Sequence, residues 1–179
     1  MKFLVISDIH GIKTNLPKIK ERFKKLECDK LIVLGDLFYI GPRNQMIEGY
    51  DIEYVKNFLN SFKDKIICIK GNCDSEVDEM VCEFPIVHGL GVVSTLNEDI
   101  YLTHGHIYNE MNWNKENSTL LLGHYHIPFI KNIETNTFIN PGSISLPKDN
   151  HAPSYLFYNE KEFIIYDIND NVIAKKVLK

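Results

Sequence analysis

Over residues 2–70 the sequence alternates short apolar runs with longer amphipathic stretches, which restricts this half of the chain to a largely parallel sheet with helical crossovers. Residues 2–7 read as a strand buried on both faces. Residues 15–27 read as a helix, because Leu16, Ile19, Phe23 and Leu26 recur at three- and four-residue spacing. Residues 31–34 form the second expected strand, residues 52–62 a second helix with Val55, Phe58, Leu59 and Phe62 on one side, and residues 66–70 a third strand. This β-α-β-α-β order implies right-handed crossovers. The second half changes character: residues 92–95, 100–103, 119–122, 129–133, 137–139, 155–159, 161–168 and 172–177 read as short strands separated by turn residues. The division suggests an α/β (α+β) protein with two sheets packed face to face and helices outside. At 179 residues, with no internal repeat or linker, the chain is expected to form a single domain over 1–179.

The side chains able to bind metal fall directly after the expected strands. Asp8 and His10 follow the first, Gly35-Asp36 the second and Gly71-Asn72 the third. His104-Gly105-His106 follows residues 100–103, and Gly123-His124-Tyr125-His126 follows residues 119–122. Parallel strands deliver their carboxyl ends to one edge, so residues far apart in sequence converge there. The neighbouring glycines allow sharp turns and close approach of the backbone. The chain has seven histidines, so a window such as 104–126 should hold roughly one, yet it holds four.

Imidazoles, carboxylates and one amide oxygen make a mixed nitrogen and oxygen donor set suited to manganese, iron, zinc, cobalt or nickel, unlike a structural thiolate cage. An aspartate in such a set has two oxygens with which to bridge two cations ~3.5–4 Å apart, and the pair would lower the pKa of a bridging water. The resulting hydroxide is a natural nucleophile for phosphorus.

These motifs together resemble the signature of calcineurin-like metallophosphoesterases: Asp8-x-His10, Gly35-Asp36, Gly71-Asn72-x-Asp74, His104-Gly105-His106 and Gly123-His124-x-His126, in that order over nearly the whole chain. Gly71-Asn72-Cys73-Asp74, the Gly41-Pro42-Arg43-Asn44 loop and the Asn140-Pro141-Gly142-Ser143 turn are similar to the small YfcE-type phosphodiesterases. The resemblance implies a four-layer αββα sandwich, two packed mixed sheets flanked by helices. It implies two divalent transition-metal ions, manganese first, with Asp8, His10, Asp36 and His126 on one and Asp36, Asn72, His104 and His124 on the other. Asp36 is then the bridge. The implied activity is hydrolysis of small phosphodiesters by a hydroxide bridging the two ions.

Cys73 departs from the wider superfamily, which usually has a histidine there to protonate the leaving group. That weakens the phosphomonoesterase alternative and favours diesters with good leaving groups. A second alternative, an interaction scaffold on the same fold, usually has a degraded metal site, whereas every ligand position here has a competent side chain. Asp74 is expected to brace its turn, and Cys73 to be neither nucleophile nor ligand. His106 is a catalytic and substrate-binding candidate, against the plainer reading that it hydrogen-bonds to and orients His104. Arg43 is a candidate to clamp a phosphate oxygen with its planar fork of donors, against the plainer reading of a surface arginine, and Asn72 is a candidate to touch substrate as well as metal. Trp113 reads as a loop anchor, and His88 and His151 as surface residues. Glu76, Asp78, Glu79 and Glu83 read as a solvated helical face whose apolar companions Val77, Met80, Val81 and Phe84 would also seat another subunit in a homodimer or homotetramer.

The net charge of −4, without a basic tail or stripe, excludes the electrostatic footprint needed to grip long nucleic acid. No apolar run approaches the ~20 residues that span a bilayer, and the apolar stretch at residues 3–6 is short for a signal peptide. Four cysteines without a CxxC pair suit a reducing compartment. A cytoplasmic location is therefore expected.

Overall fold

The computed structural model describes residues 1–41 and 47–178. Its first sheet contains β1 (Phe3–Ile6), β2 (Lys30–Val33), β3 (Ile66–Ile69) and β4 (Ile86–Val87), joined by β10 (Ser154–Tyr158), β11 (Glu162–Asp167) and β12 (Val172–Val177) in the order β12-β11-β10-β1-β2-β3-β4. Strands β1 to β4 are parallel, as the alternating first half requires, and β10 adds antiparallel to β1. The second sheet has the order β5-β6-β7-β9-β8, formed by β5 (Leu90–Ser94), β6 (Asp99–Thr103), β7 (Thr119–Leu122), β8 (Pro128–Ile133) and β9 (Asn136–Pro141). Here β6, β7 and β9 are parallel, and the edge strands β5 and β8 are antiparallel. Both sheets are therefore mixed, as expected.

Alternation along the strands builds two cores. Phe3, Val5, Ile32 and Leu34 of the first sheet meet Ile100, Leu102, Leu121 and Ile139 of the second. The alternate residues Leu4, Ile6, Leu31 and Val33 meet Leu16, Ile19 and Phe23 of α1 (Leu16–Lys25) and Val55, Phe58 and Leu59 of α2 (Ile52–Asn60). Helix α2 starts where the Asp51 carboxylate accepts the Tyr54 amide at 3.0 Å. Over the outer face of the second sheet, Leu120, Leu122 and Phe138 are covered by Tyr101, Trp113, Tyr125 and Phe129. Trp113 comes from the irregular connection between β6 and β7, so the described residues place side chains and no helix in this outer layer. Its indole donates to Ser118 Oγ at 2.8 Å, the expected loop anchor.

Two local differences have simple causes. Strand β4 is two residues long, too short for periodicity to show. Helix α3 (Glu76–Val81) ends after six residues, so Phe84 lies beyond it, buried in the α1/α2 core, while Val77 and Met80 stay exposed. Among the described residues no helix is long and apolar enough to cross a membrane, and all four cysteines are free.

Candidate metal centre

The parallel strands of both sheets end at one edge, and the turns that follow are tied to one another through their backbones. Asp8 N donates to Gly35 O at 3.1 Å, His10 N to Asp36 O at 2.9 Å and Gly123 N to His104 O at 2.8 Å. Asp8, His10, Asp36, His124 and His126 all have positive φ, between 50° and 69°. Asp and His tolerate this left-handed conformation better than most residues, yet it costs free energy and persists only when neighbours enforce it. Asp74 is one such neighbour. Its buried carboxylate accepts Asp36 N at 2.9 Å, Leu37 N at 2.7 Å and Gly71 N at 2.7 Å, the brace expected of it. Asp74→Ala would strand three buried donors, and we expect it to destabilise the protein by about 3–5 kcal/mol. Thermal unfolding should register this as a fall of roughly 10 °C or more.

The side chains converge in two overlapping groups. His126 Nε2 lies 3.3 Å from Asp8 Oδ1 and 3.4 Å from His10 Nε2, and His10 Nε2 lies 3.6 Å from Asp36 Oδ2. On the other side of the same carboxylate, Asp36 Oδ1 lies 3.4 Å from His104 Nε2, which is 3.0 Å from Asn72 Oδ1. The His124 ring stands 5.1 Å from that of His104. Asp8, His10 and His126 form one set of potential ligands, and Asp8, Asp36 and His104 another. All seven residues expected to hold metal are thus at this edge. Arg43 lies outside the described residues.

Three observations test whether this arrangement suits a cation. His10, His104 and His126 each set Nδ1 at 2.6 Å from a backbone carbonyl, those of Tyr39, Leu34 and Leu146 respectively. Donation there leaves each Nε2 lone pair pointing inward, which is how imidazoles are oriented for metals. The Nε2 atoms of His10 and His126 then face each other as two acceptors. Asp8 Oδ1, between them, is buried without a hydrogen-bond partner, although Oδ2 of the same carboxylate accepts His124 N at 3.1 Å. A buried carboxylate oxygen and two imidazole lone pairs with no donor among them are satisfied by a positive ion. The residues fit.

Burial would raise the Asp36 carboxyl, but His104, the Cys73 amide and His10 outweigh it and hold it well below the usual range. Burial lowers His126 and His124, keeping both imidazoles neutral as ligation requires. Burial would also lower His104, but the Asp36 and Asp8 carboxylates raise it. Cys73 Sγ belongs to a further group with His10 and Asp36. Burial first, and Asp36 next, push its thiol up to about 12, so it stays protonated.

The plainer reading of His106 is corrected by the structure. His104 Nδ1 is taken by the Leu34 carbonyl, so His106 does not orient it. The exposed His106 ring lies 5.3 Å from His104 and 6.2 Å from His124, and burial and His104 lower its pKa. His88 is exposed and bonds Glu79, a surface role as expected, and His151 is exposed. Sequence reasoning missed the carbonyls of Leu34, Tyr39 and Leu146, which no side-chain pattern marks. It also missed the work of Ser143, whose hydroxyl donates to Asp8 O at 2.8 Å, and of Asn140, whose amide donates to Gly123 O at 2.7 Å.

A cleft of about 540 Å³ opens over the site, lined by His10, Asp36, Asn72, Cys73, His124 and His126 together with Tyr39, Leu146 and Lys148.

Residues 1–162 match the family model described as the calcineurin-like phosphoesterase superfamily domain. The chain is 35% identical over 179 residues to phosphodiesterase YfcE of Escherichia coli K12, covering 99% of this chain and 97% of that one. The solved structure of E. coli YfcE, described as a phosphoesterase, superposes with a TM-score of 0.95 and 34% identity over the full length of both chains. Vps29 of Entamoeba histolytica superposes with a TM-score of 0.64 at 20% identity, a likeness of fold alone.

Proposed function

We propose that this chain, which belongs to the calcineurin-like phosphoesterase superfamily, is a phosphodiesterase of small substrates working with two divalent metal ions. The main support is the buried, unpartnered Asp8 Oδ1 facing the Nε2 atoms of His10 and His126. In this reading Asp8, His10, Asp36 and His126 hold one ion and Asp36, Asn72, His104 and His124 the other. Asp36 would serve both, since its two oxygens face different groups. Manganese is the first choice, and zinc, iron, cobalt or nickel suit the same donors. When bound, such ions supply Lewis-acid polarisation of a phosphoryl oxygen and a lowered pKa for water.

Hydrolysis adds water across a P–O ester bond, the oxygen going to phosphorus and one proton to the departing alcohol. The protein's own groups shape that last step. The carbonyls of Tyr39, Leu34 and Leu146 keep three imidazoles aimed with Nε2 toward the candidate ligand groups. His106, neutral near pH 7 because its pKa is lowered, serves as a hydrogen-bond donor to a substrate oxygen. Asn72 joins it in touching substrate, and Arg43 is assigned to a phosphate oxygen on its sequence position. Cys73, a thiol at about 12, is a poor proton donor. A leaving group that departs without a proton is therefore favoured. The purified protein, analysed for metal and then assayed with each metal against aryl diesters, cyclic nucleotides, monoesters and nucleic acids, tests this. An aryl diester should be cleaved about 100-fold faster than an alkyl phosphomonoester, and the reverse order contradicts the reading.

The scaffold alternative loses support because each of the seven candidate ligand positions holds a metal-competent side chain. We also infer one domain over 1–179, a homodimer or homotetramer supported by the exposed Val77 and Met80, and a cytoplasmic location supported by the four free cysteines.

A further inference from the structure

Beside the cleft lies a second cavity of about 400 Å³, and Tyr39 and Cys73 line both. Past these two residues the surroundings change. The cleft is lined by three imidazoles, the Asp36 carboxylate and the Asn72 amide beside Leu146 and Pro147, whereas the annex is walled by Phe38, Tyr39, Tyr50 and Ile52. Tyr39 is 48% exposed and Ile52 44%, so aromatic and aliphatic surface is left open to solvent next to the metal-binding residues. Ser75 and Asp78 also line the annex, the Asp78 carboxylate accepting Ser75 N at 2.7 Å and Ser75 Oγ at 2.9 Å. Among the described lining residues there is no lysine or arginine.

The annex walls are fixed to the ligand turns. The Tyr39 carbonyl holds His10 Nδ1 at 2.6 Å. The Tyr50 ring packs on Gly11, directly after His10, where an added Cβ would come within 2.5 Å of the ring. Asp51 N donates to Gly11 O at 2.8 Å, which holds the segment leading into α2 against the turn. A group placed in the annex therefore has a defined position relative to a phosphorus centre in the cleft, and little ordering is needed to receive it.

We propose that the annex is a subsite for one organic arm of the phosphodiester, and that this arm is an uncharged aromatic or heteroaromatic group. This rests on the phosphodiesterase reading above and adds to it a substrate class. Open aromatic surface favours a flat ring, which stacks on Tyr39 or Tyr50. The Asp78 carboxylate, with no cation beside it among the described residues, repels a second phosphate or a carboxylate and accepts a hydrogen bond from a ring N–H.

Titration calorimetry on the manganese-loaded protein with methylphosphonate and phenylphosphonate separates the arm from the phosphorus group, because neither probe has an ester bond to hydrolyse. The phenyl compound should bind about tenfold more tightly than the methyl compound. In Tyr39→Ala, which removes a half-exposed ring but keeps the carbonyl that holds His10, that advantage should fall to about twofold or less. Ile52→Glu, in the exposed first turn of α2 where an acidic residue is well tolerated, should produce the same loss without touching Tyr39. Equal binding of the two probes by the wild-type protein overturns the subsite alone, as does an undiminished phenyl advantage in both variants. Failure of both probes to bind overturns the underlying phosphodiesterase reading as well.

Discussion

Asp36→Asn is expected to lower kcat/KM for an aryl phosphodiester by about 10⁴-fold, roughly 5.5 kcal/mol of transition-state stabilisation, and to reduce metal binding at both positions. The two oxygens of Asp36 face different ligand groups, Oδ2 at 3.6 Å from His10 Nε2 and Oδ1 at 3.4 Å from His104 Nε2. An amide keeps the shape, removes the charge and turns one of the two oxygens into an N–H donor aimed at a cation. One group must therefore lose its ligand, whichever way the amide is turned, and the other loses half of its negative charge. The fold should survive, because the backbone of Asp36 remains bonded to Asp74. His10→Ala provides the contrast: its Nε2 contacts Asp8, Asp36 and His126, so it should chiefly weaken one ion. Metal analysis showing one ion lost in both variants would contradict the bridging role.

Gly71→Ala should be nearly as damaging, about 10³-fold in kcat/KM, although it removes no ligand. A Cβ at Gly71 would sit 2.1 Å from Asp36 Oδ1 and 2.3 Å from Asp36 N, distances that force movement. Asp36 has little room to yield. Its amide is held by Asp74 Oδ2 at 2.9 Å, its Oδ1 accepts Cys73 N at 2.9 Å, and its φ of 57° is already unusual. The carboxylate must swing away from one ligand group, so metal affinity should fall with activity while circular dichroism still reports a folded protein. A Gly71→Ala enzyme with wild-type turnover would show that Asp36 need not sit where the structure has it.

The βαβαβ start was legible because strands buried on both faces and helices buried on one face leave different periodicities, as at Leu16, Ile19 and Phe23. The metal-binding side chains were legible for a related reason: each follows a strand directly, and a parallel sheet brings such positions together. What was not legible is mostly backbone. The carbonyls of Leu34, Tyr39 and Leu146 that orient three imidazoles look like any other peptide group in a sequence. The left-handed φ values of five metal-binding candidates are imposed by contacts across the fold, such as Asp74 on the Asp36 turn and Ser143 on Asp8. His106 was harder still, because its role depends on whether His104 needs a partner, and only the Leu34 carbonyl answers that. Cys73 shows both sides. Its identity pointed toward diesters, but its place between the cleft and the annex depends on where the Phe38–Tyr39 segment and the start of α2 meet in space.

The central claim, a two-ion site built on Asp36, is tested most directly by anomalous diffraction from crystals of the manganese-loaded protein recorded near the manganese edge. Two peaks are predicted, one among Asp8, His10, Asp36 and His126 and the other among Asp36, Asn72, His104 and His124. A single peak, or peaks that do not share Asp36, would contradict it.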